Sequence, residues 1–434
     1  MKCEPAYLGT LQEQGVKQPA ASIAYGSALL ALAAATMSRV IVAAGLPAAM
    51  NFLHFPLIVG AAILVIPRSH TREASAMLAG IATLCATMAG SALINGAGVI
   101  NVVLDLVLLG EPILLLMLIA GVPWPVEKID QLRRWILRLL WVHVLMAWYQ
   151  WLVLGLRSDD VKGVFLHQIG GHHVGGGIAL IGAIYFAIDW PGRSRWARCL
   201  FVFAAASVTI LADAKQVIAV TLAALLVLAA CGCRHIGRAV RYLLLACSAT
   251  AVLVVAAMTV FPALGTWTDP ETIWEGLTHK VSVFSIIHQH HENLWQNLLG
   301  LGPGHTIGRL GWMLPDYFDV LGPLGATTSR VTQIIRDANE GHWLSAEGGS
   351  SMWSLLFSWA GLWGDLGLLG TGAYGLLCVW VWRHICKTDL SRFVLLNLLG
   401  LGCVYAWLEE PAYALLVAAL IGVRYRGNAN TLRT

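Results

Sequence analysis

Three histidines, His167, His172 and His173, share one glycine-rich run, GVFLHQIGGHHVGGG (163–177). Imidazole changes charge near neutral pH, so such a run can supply a general base, a metal ligand or a polar rim. The metal reading is the weakest of the three. His172 and His173 are adjacent and would point apart on a regular element, and no acid or cysteine stands at ligand spacing. His288, His290 and His291 meet the same objection. The general-base and polar-rim readings both stand. A second chemistry is anion binding. Lys215, in ILADAKQVIAV, falls at the N-terminal end of an expected helix. That end is already partly positive, so a lysine there makes a compact anion site. A simple pair with Asp213 is the alternative. Arg330 and Arg336 lie six apart and face different sides of a helix, so both could reach one anion only across a bend.

The elements that must position these groups are membrane helices. Of 434 residues, 58% are apolar and 12% charged, where a soluble chain carries about a quarter charged. Apolar runs of roughly 20 residues, the length that crosses a hydrocarbon core, recur throughout. The formal charge of +4 gives no reason to expect a nucleic acid as partner. The start, MKCEPAYLGTLQEQGVKQPA, mixes acids and bases and reads as no signal peptide. The expected fold is all-α and polytopic, with about twelve spans: 22–44, 48–66, 76–95, 100–122, 135–156, 174–190, 199–213, 215–232, 242–262, 353–382, 393–408 and 411–424. The tenth is long enough to begin as a helix along the surface. The chain then divides into a tail (1–21), a bundle (22–262), a large loop (263–352), a second bundle segment (353–424) and a tail (425–434).

Alternate loops are basic: 68–72, Lys128 with Arg133 and Arg134, Arg193 to Arg198, Arg234 to Arg241, Arg383 to Arg392, and the tail with Arg424 and Arg426. Such loops collect on the cytoplasmic side, which puts both termini there. The outer side then receives 157–173, the turn near Asp213, the 263–352 loop and the turn Glu409–Pro411. None of the nine cysteines falls in an outer loop, which agrees with an oxidising compartment and no disulfide framework. Cys231-Gly-Cys233 with His235 lacks a second ligand pair and reads as small residues at a helix end.

The long loop is not low-complexity. It holds two helical stretches, TIWEGLTHKVSVFSIIHQHHENLWQNLL, a turn cluster GLGPGH (300–305), and tryptophans 267, 274, 295, 312, 343 and 353. Amphipathic indoles suit the headgroup level, so the loop is expected to fold as a partly helical cap on the outer surface. Topology disfavours bases on this side, so each of Arg157, Lys162, Lys215, Lys280, Arg309, Arg330 and Arg336 invites a reason. Charges inside spans invite one as well: Arg39, Asp105 and Glu111, with an Arg39–Asp105 pair conceivable. Glu409 and Glu410 read as a solvated turn.

These features, in their order, resemble the O-antigen polymerase and ligase superfamily of bacterial inner membranes. Four carry the resemblance, over about residues 135–424: DVKGVF before the histidine run, the helix junction ILADAKQVIAV where the family often has Ser/Thr and Arg, a late outer loop with LGLGPGH, and LWGDLGLLGTGAYGLL (362–377), like the family's acidic-Leu-Gly signature. The resemblance implies a glycosyltransferase of the inner membrane that uses undecaprenyl-diphosphate-linked oligosaccharides, with no nucleotide sugar, metal or other cofactor. A polymerase passes one chain to a second lipid-linked repeat. A ligase passes it to a lipopolysaccharide core, and many ligases carry a histidine just before the acidic-Leu-Gly stretch. Here that region reads GGSSMWSLLFSWAGLWGDLG, without histidine, which favours a polymerase of exopolysaccharide or capsule type. A flippase and chain-length or export proteins would be its partners, with membrane lipids around it. A transporter and an assembly partner of an export machine are the other classes. On the polymerase reading Lys215, Arg330 and Arg336, with Arg309 as a further candidate, neutralise the leaving diphosphate, and Lys162, Arg39 and Asp105 are other candidate site residues. His172 or His173 takes the acceptor proton.

Overall fold

The computed structural model describes residues 8–69, 71–190, 194–232, 269–343 and 353–431. The described residues are mostly helical, with no strand among them. The helices are α1 (Leu8–Ala43), α2 (His54–Val65), α3 (Arg72–Asn95), α4 (Val99–Ala120), α5 (Val126–Leu152), α6 (Gly171–Ile188), α7 (Arg195–Leu211), α8 (Lys215–Gly232), α9 (Pro270–Gln289), α10 (Leu294–Leu299), α11 (Arg309–Met313), α12 (Phe318–Leu321), α13 (Arg330–Trp343), α14 (Ser358–His384), α15 (Asp389–Leu401) and α16 (Pro411–Thr431). Their starts are capped as the sequence allows. Thr71 accepts the Ala74 amide, Ser194 that of Ala197, and Asp269, followed by Pro270, that of Thr272.

Six stretches are long and apolar enough to cross a membrane: Pro19–Ala43, Ala48–Val65, α3, α4, α6 and α14. Many of their large apolar side chains face outward, Leu93, Val99 and Leu376 among them. That is the pattern of helices solvated by lipid, because in water such a surface would aggregate. The other expected spans that fall on described residues overlap α5, α7, α8, α15 and α16, none of which is among these six. The ninth, 242–262, lies outside the described residues.

Two ends of the bundle differ. At one, arginines gather: Arg133 and Arg424 both meet Asp189, at 3.6 and 3.2 Å, and Arg426 donates to the carbonyls of Ile119 and Ala120. At the other end the long loop folds. Helices α9 to α13 pack on α14, α3 and α4 around Val283, Ile287, Ile307, Ile335 and Leu355. This cap is not purely an interfacial layer of indoles. Trp274 and Trp295 are exposed, but Trp353 is buried and Trp312 packs into the cap core; Trp267 lies outside the described residues.

Helix α14, which carries the expected tenth span, begins at Ser358 and breaks at Gly367, where φ is 63°. A Cβ there would come 2.5 Å from the Leu298 carbonyl carbon and from Gly300 N, so only glycine lets the helix cross the loop 298–300 at this distance.

Candidate functional site

The first turn of α6 is held in place from α5. Gln150 Oε1 accepts the amides of Lys162 and Gly163, at 2.9 and 2.7 Å, and its Nε2 donates to Gly163 O at 2.8 Å. His143 accepts the Val164 amide on Nδ1, so its Nε2 carries the proton given to Gly175 O at 2.9 Å. Gly163 has φ 57°, and a Cβ on it would strike the His143 ring at 2.3 Å. The glycines of the run therefore let the loop close onto a buried imidazole.

This clamp sets His172 and His173 at the start of α6. Their rings do not point apart. They lie with centroids 3.8 Å apart, because successive residues of a helix's first turn are only about 100° apart and both rings fold to the same side. His172 Nε2 is 3.5 Å from Asp159. His173 is 7% exposed, packs 5.4 Å from the Tyr405 ring, and its Nδ1 is buried with no hydrogen-bond partner among the described residues.

Helix α8 begins beside them. Thr209 donates to Gly176 O at 3.0 Å and ties α7 to α6. Asp213 turns the chain with φ 51°, a conformation aspartate tolerates. Lys215 then sits 3.0 Å from Asp213 and within electrostatic range of His173, so the pair and the cluster coexist. Lys162 acts on His172 in the same way. From the cap, Lys280 of α9 reaches the same group. Its ammonium donates to Ser354 O at 2.6 Å and lies 5.3 Å from the Phe357 ring and 5.8 Å from the Tyr405 ring. Burial pushes this amine down to about 7.

A second group of charges gathers at the 409–410 turn. The GLGPGH loop wraps the Asp365 carboxylate. Its Oδ2 accepts the Gly304 amide at 2.9 Å, and its Oδ1 accepts the Thr306 amide at 2.8 Å. Glu409 Oε2 accepts the Arg309 amide at 2.6 Å, and the Arg309 guanidinium pairs with Glu410. A methyl group on Gly308 would lie 3.3 Å from Asp365 Oδ2 and 3.5 Å from Glu409 Oε2, so these two carboxylates flank one glycine. Glu409 and Glu410 are not a solvated turn. They are 3% and 7% exposed, because the cap loop 304–309 covers them. Burial and the nearby Asp365 push Glu409 up to about 8, against the Arg309 amide that holds it down. Arg39 stands within electrostatic range of Glu410 and Arg309, while Asp105 faces Asp365 and Glu409. The two share a neighbourhood, but no ion pair joins them among the described residues.

His172, His173, Lys215 and Lys162 thus converge, and Arg309, Arg39 and Asp105 gather in the second group, around Glu409, Glu410 and Asp365. Arg336 and Arg330 join neither group. Arg336 is occupied within the cap, donating to Trp312 O and Asp316 at 3.0 and 3.1 Å, and Arg330 is exposed at the first residue of α13. Tyr405 enters as a group that the sequence does not single out, while Lys280, Asp365 and Glu409 stand out there only as an outer base, as part of the acidic-Leu-Gly stretch and as a turn. Lys280 had a signal: it falls four after Gly276 and three before Val283, in line with the buried stripe Gly276, Val283 and Ile287 of α9 and itself half-buried. Among the described residues, no group of three His, Cys, Asp or Glu is arranged to hold a metal ion. No protein-family model matches the chain, and no curated protein matches it.

Proposed function

We propose that the chain is a bacterial inner-membrane polysaccharide polymerase. It would have twelve spans, cytoplasmic termini and the cap in the periplasm, and would join undecaprenyl-diphosphate-linked oligosaccharides. The observation that carries this reading is the convergence of Lys162, His172, His173, Lys215 and Lys280, from four separate stretches, at the end of the bundle away from the arginine-rich loops. Loops rich in arginine belong inside, so the cationic cluster belongs outside, where lipid-linked glycan would be met. In the reaction, the acceptor hydroxyl oxygen bonds to the donor's anomeric carbon. The carbon–oxygen bond to phosphate breaks, and its electron pair leaves on the diphosphate, which Lys215 and its neighbours neutralise. The hydroxyl proton passes to the neutral imidazole of His172 or His173. No cofactor enters.

A ligase acting on a lipopolysaccharide core is the near alternative. A saccharide transporter is the distant one, and the break of α14 at Gly367 beside buried carboxylates favours it over other classes. Reconstitution in vesicles with a lipid-linked repeat unit separates them. A polymerase yields a ladder of lengthening products. Transfer only to lipid A–core, or movement of saccharide with no new bond, would reject this reading.

A further inference from the structure

We infer that the second group of charges is a proton-binding site: Asp105 of α4 and Glu409 each hold a proton while the cap loop 304–309 is closed, and give it up when the loop lifts. The site stands apart from the glycan chemistry above. Two observations carry it. The first is a buried atom. Asp105 is 3% exposed, and its Oδ2 accepts no hydrogen bond from any described residue. An ionised oxygen there would lose its water without compensation, whereas a carboxylic acid has no charge to solvate. The helix sets its direction. Asn101, one turn earlier on the same face, donates to Pro303 O at 2.8 Å and to Thr327 O at 2.9 Å, and Leu104 and Leu108 pack against Leu310. Asp105 therefore faces the cap loop, within electrostatic range of Asp365 and Glu409.

The second observation is the balance of charge. The Asp365 carboxylate accepts the amides of Gly304 and Thr306 and the Thr306 hydroxyl, three donors that suit an ionised group. Glu410 pairs with the Arg309 guanidinium, and Arg39 of α1 lies within electrostatic range of both. Two carboxylates and two guanidiniums thus balance. Asp105 and Glu409 are left over, and a buried charge without a counter-charge is costly. Glu409 accepts the Arg309 amide, a neutral donor, and burial pushes its carboxyl up to about 8. The other titratable neighbours leave the balance unchanged. His305 of the loop donates from Nδ1 to Leu301 O and accepts the Thr327 hydroxyl on Nε2, as a neutral ring does. Tyr374 of α14 lies near Glu409 and Tyr317 of the cap near Arg39, both uncharged phenols. Farther along α4, Glu111 is met by His54 of α2 at 2.7 Å. Once the loop lifts, water reaches Asp105 and Glu409 and both ionise. Closure is therefore strongest below the ordinary carboxyl range, about 4, and weakens as pH rises through the higher values held in the closed state.

The test is hydrogen exchange of the full-length protein in detergent, read by mass spectrometry on peptides spanning 300–311, from pH 5 to pH 7. Each rate is divided by the chemical exchange rate of the same amide at that pH, which leaves the opening equilibrium. Every proton released on opening makes that equilibrium rise about tenfold per pH unit. The wild type should therefore rise about a hundredfold per unit, and Asp105→Asn and Glu409→Gln about tenfold each. The double variant should be nearly flat. A wild-type rise of about tenfold or less would overturn the inference, whether or not the variants fold. So would the full wild-type slope persisting in Asp105→Asn. The measurement is repeated at pH 9 in sodium chloride and in choline chloride, where equal exchange is expected. Protection restored by sodium alone would make the bound species a metal cation and overturn the proton site.

Discussion

The Asp365 Oδ1 atom accepts both the backbone amide of Thr306, at 2.8 Å, and its hydroxyl, at 2.6 Å. The carboxylate thereby joins the acidic-Leu-Gly stretch of α14 to the glycine-rich turn of the cap. The Asp365 carbonyl extends the joint, accepting the Ser91 hydroxyl of α3 at 2.8 Å and the Gly302 amide at 3.1 Å. Asp365→Asn places an NH2 against donors that need acceptors. Each charge-assisted hydrogen bond lost contributes about 1.5–3 kcal/mol, so the variant should melt well below the wild type in detergent. An unchanged melting temperature would mean that the carboxylate does not hold the turn.

Glu409 should make stability depend on pH. Its carboxyl is raised from an ordinary value to about 8. The native state therefore holds a proton that the unfolded chain has released, and the stability this contributes is complete below about 4.5 and is lost as pH rises through 8. Glu409→Gln keeps an oxygen for the Arg309 amide and has no proton to lose. Thermal melts between pH 5 and pH 9 should decline in the wild type and stay flatter in the variant. The difference at pH 9 should be on the order of 1–3 kcal/mol in the variant's favour. Parallel curves would show Glu409 to be ionised throughout.

Lys215 and Arg336 should separate catalysis from architecture. Lys215→Ala should lose polymer formation and bind undecaprenyl diphosphate at least about tenfold more weakly, with Lys215→Arg intermediate. Arg336→Ala should leave the lipid site intact but free the 309–317 segment that its guanidinium braces against Trp312 and Asp316, seen as faster amide exchange there. Full activity of Lys215→Ala at equal expression would remove the lysine from the site.

Topology is open to direct labelling. In a cysteine-free background, Asp316→Cys in the cap should react with an impermeant thiol reagent in intact spheroplasts, and Ser194→Cys, at the start of α7, should not. The reverse pattern would turn the protein over in the membrane.

Much of the helical frame was legible in the chain itself. Apolar runs of spanning length, caps such as Thr71 and Asp269, and the two helical stretches of the long loop are local properties, set by hydropathy and by backbone hydrogen bonding within a few residues. The grouping of His172 and His173 with Lys215 was partly legible too, since glycines and helix starts mark both segments. Burial was not. Glu409 and Glu410 look like a wet turn until residues 304–309, about a hundred positions away, close over them. Arg336 looks like an anion ligand until Asp316 and Trp312 occupy it. Lys280 becomes a neighbour of His173 only when α9 docks against the bundle. A side chain's charge, partner and solvent are decided by whatever packs against it, and in this fold those partners come from distant parts of the chain.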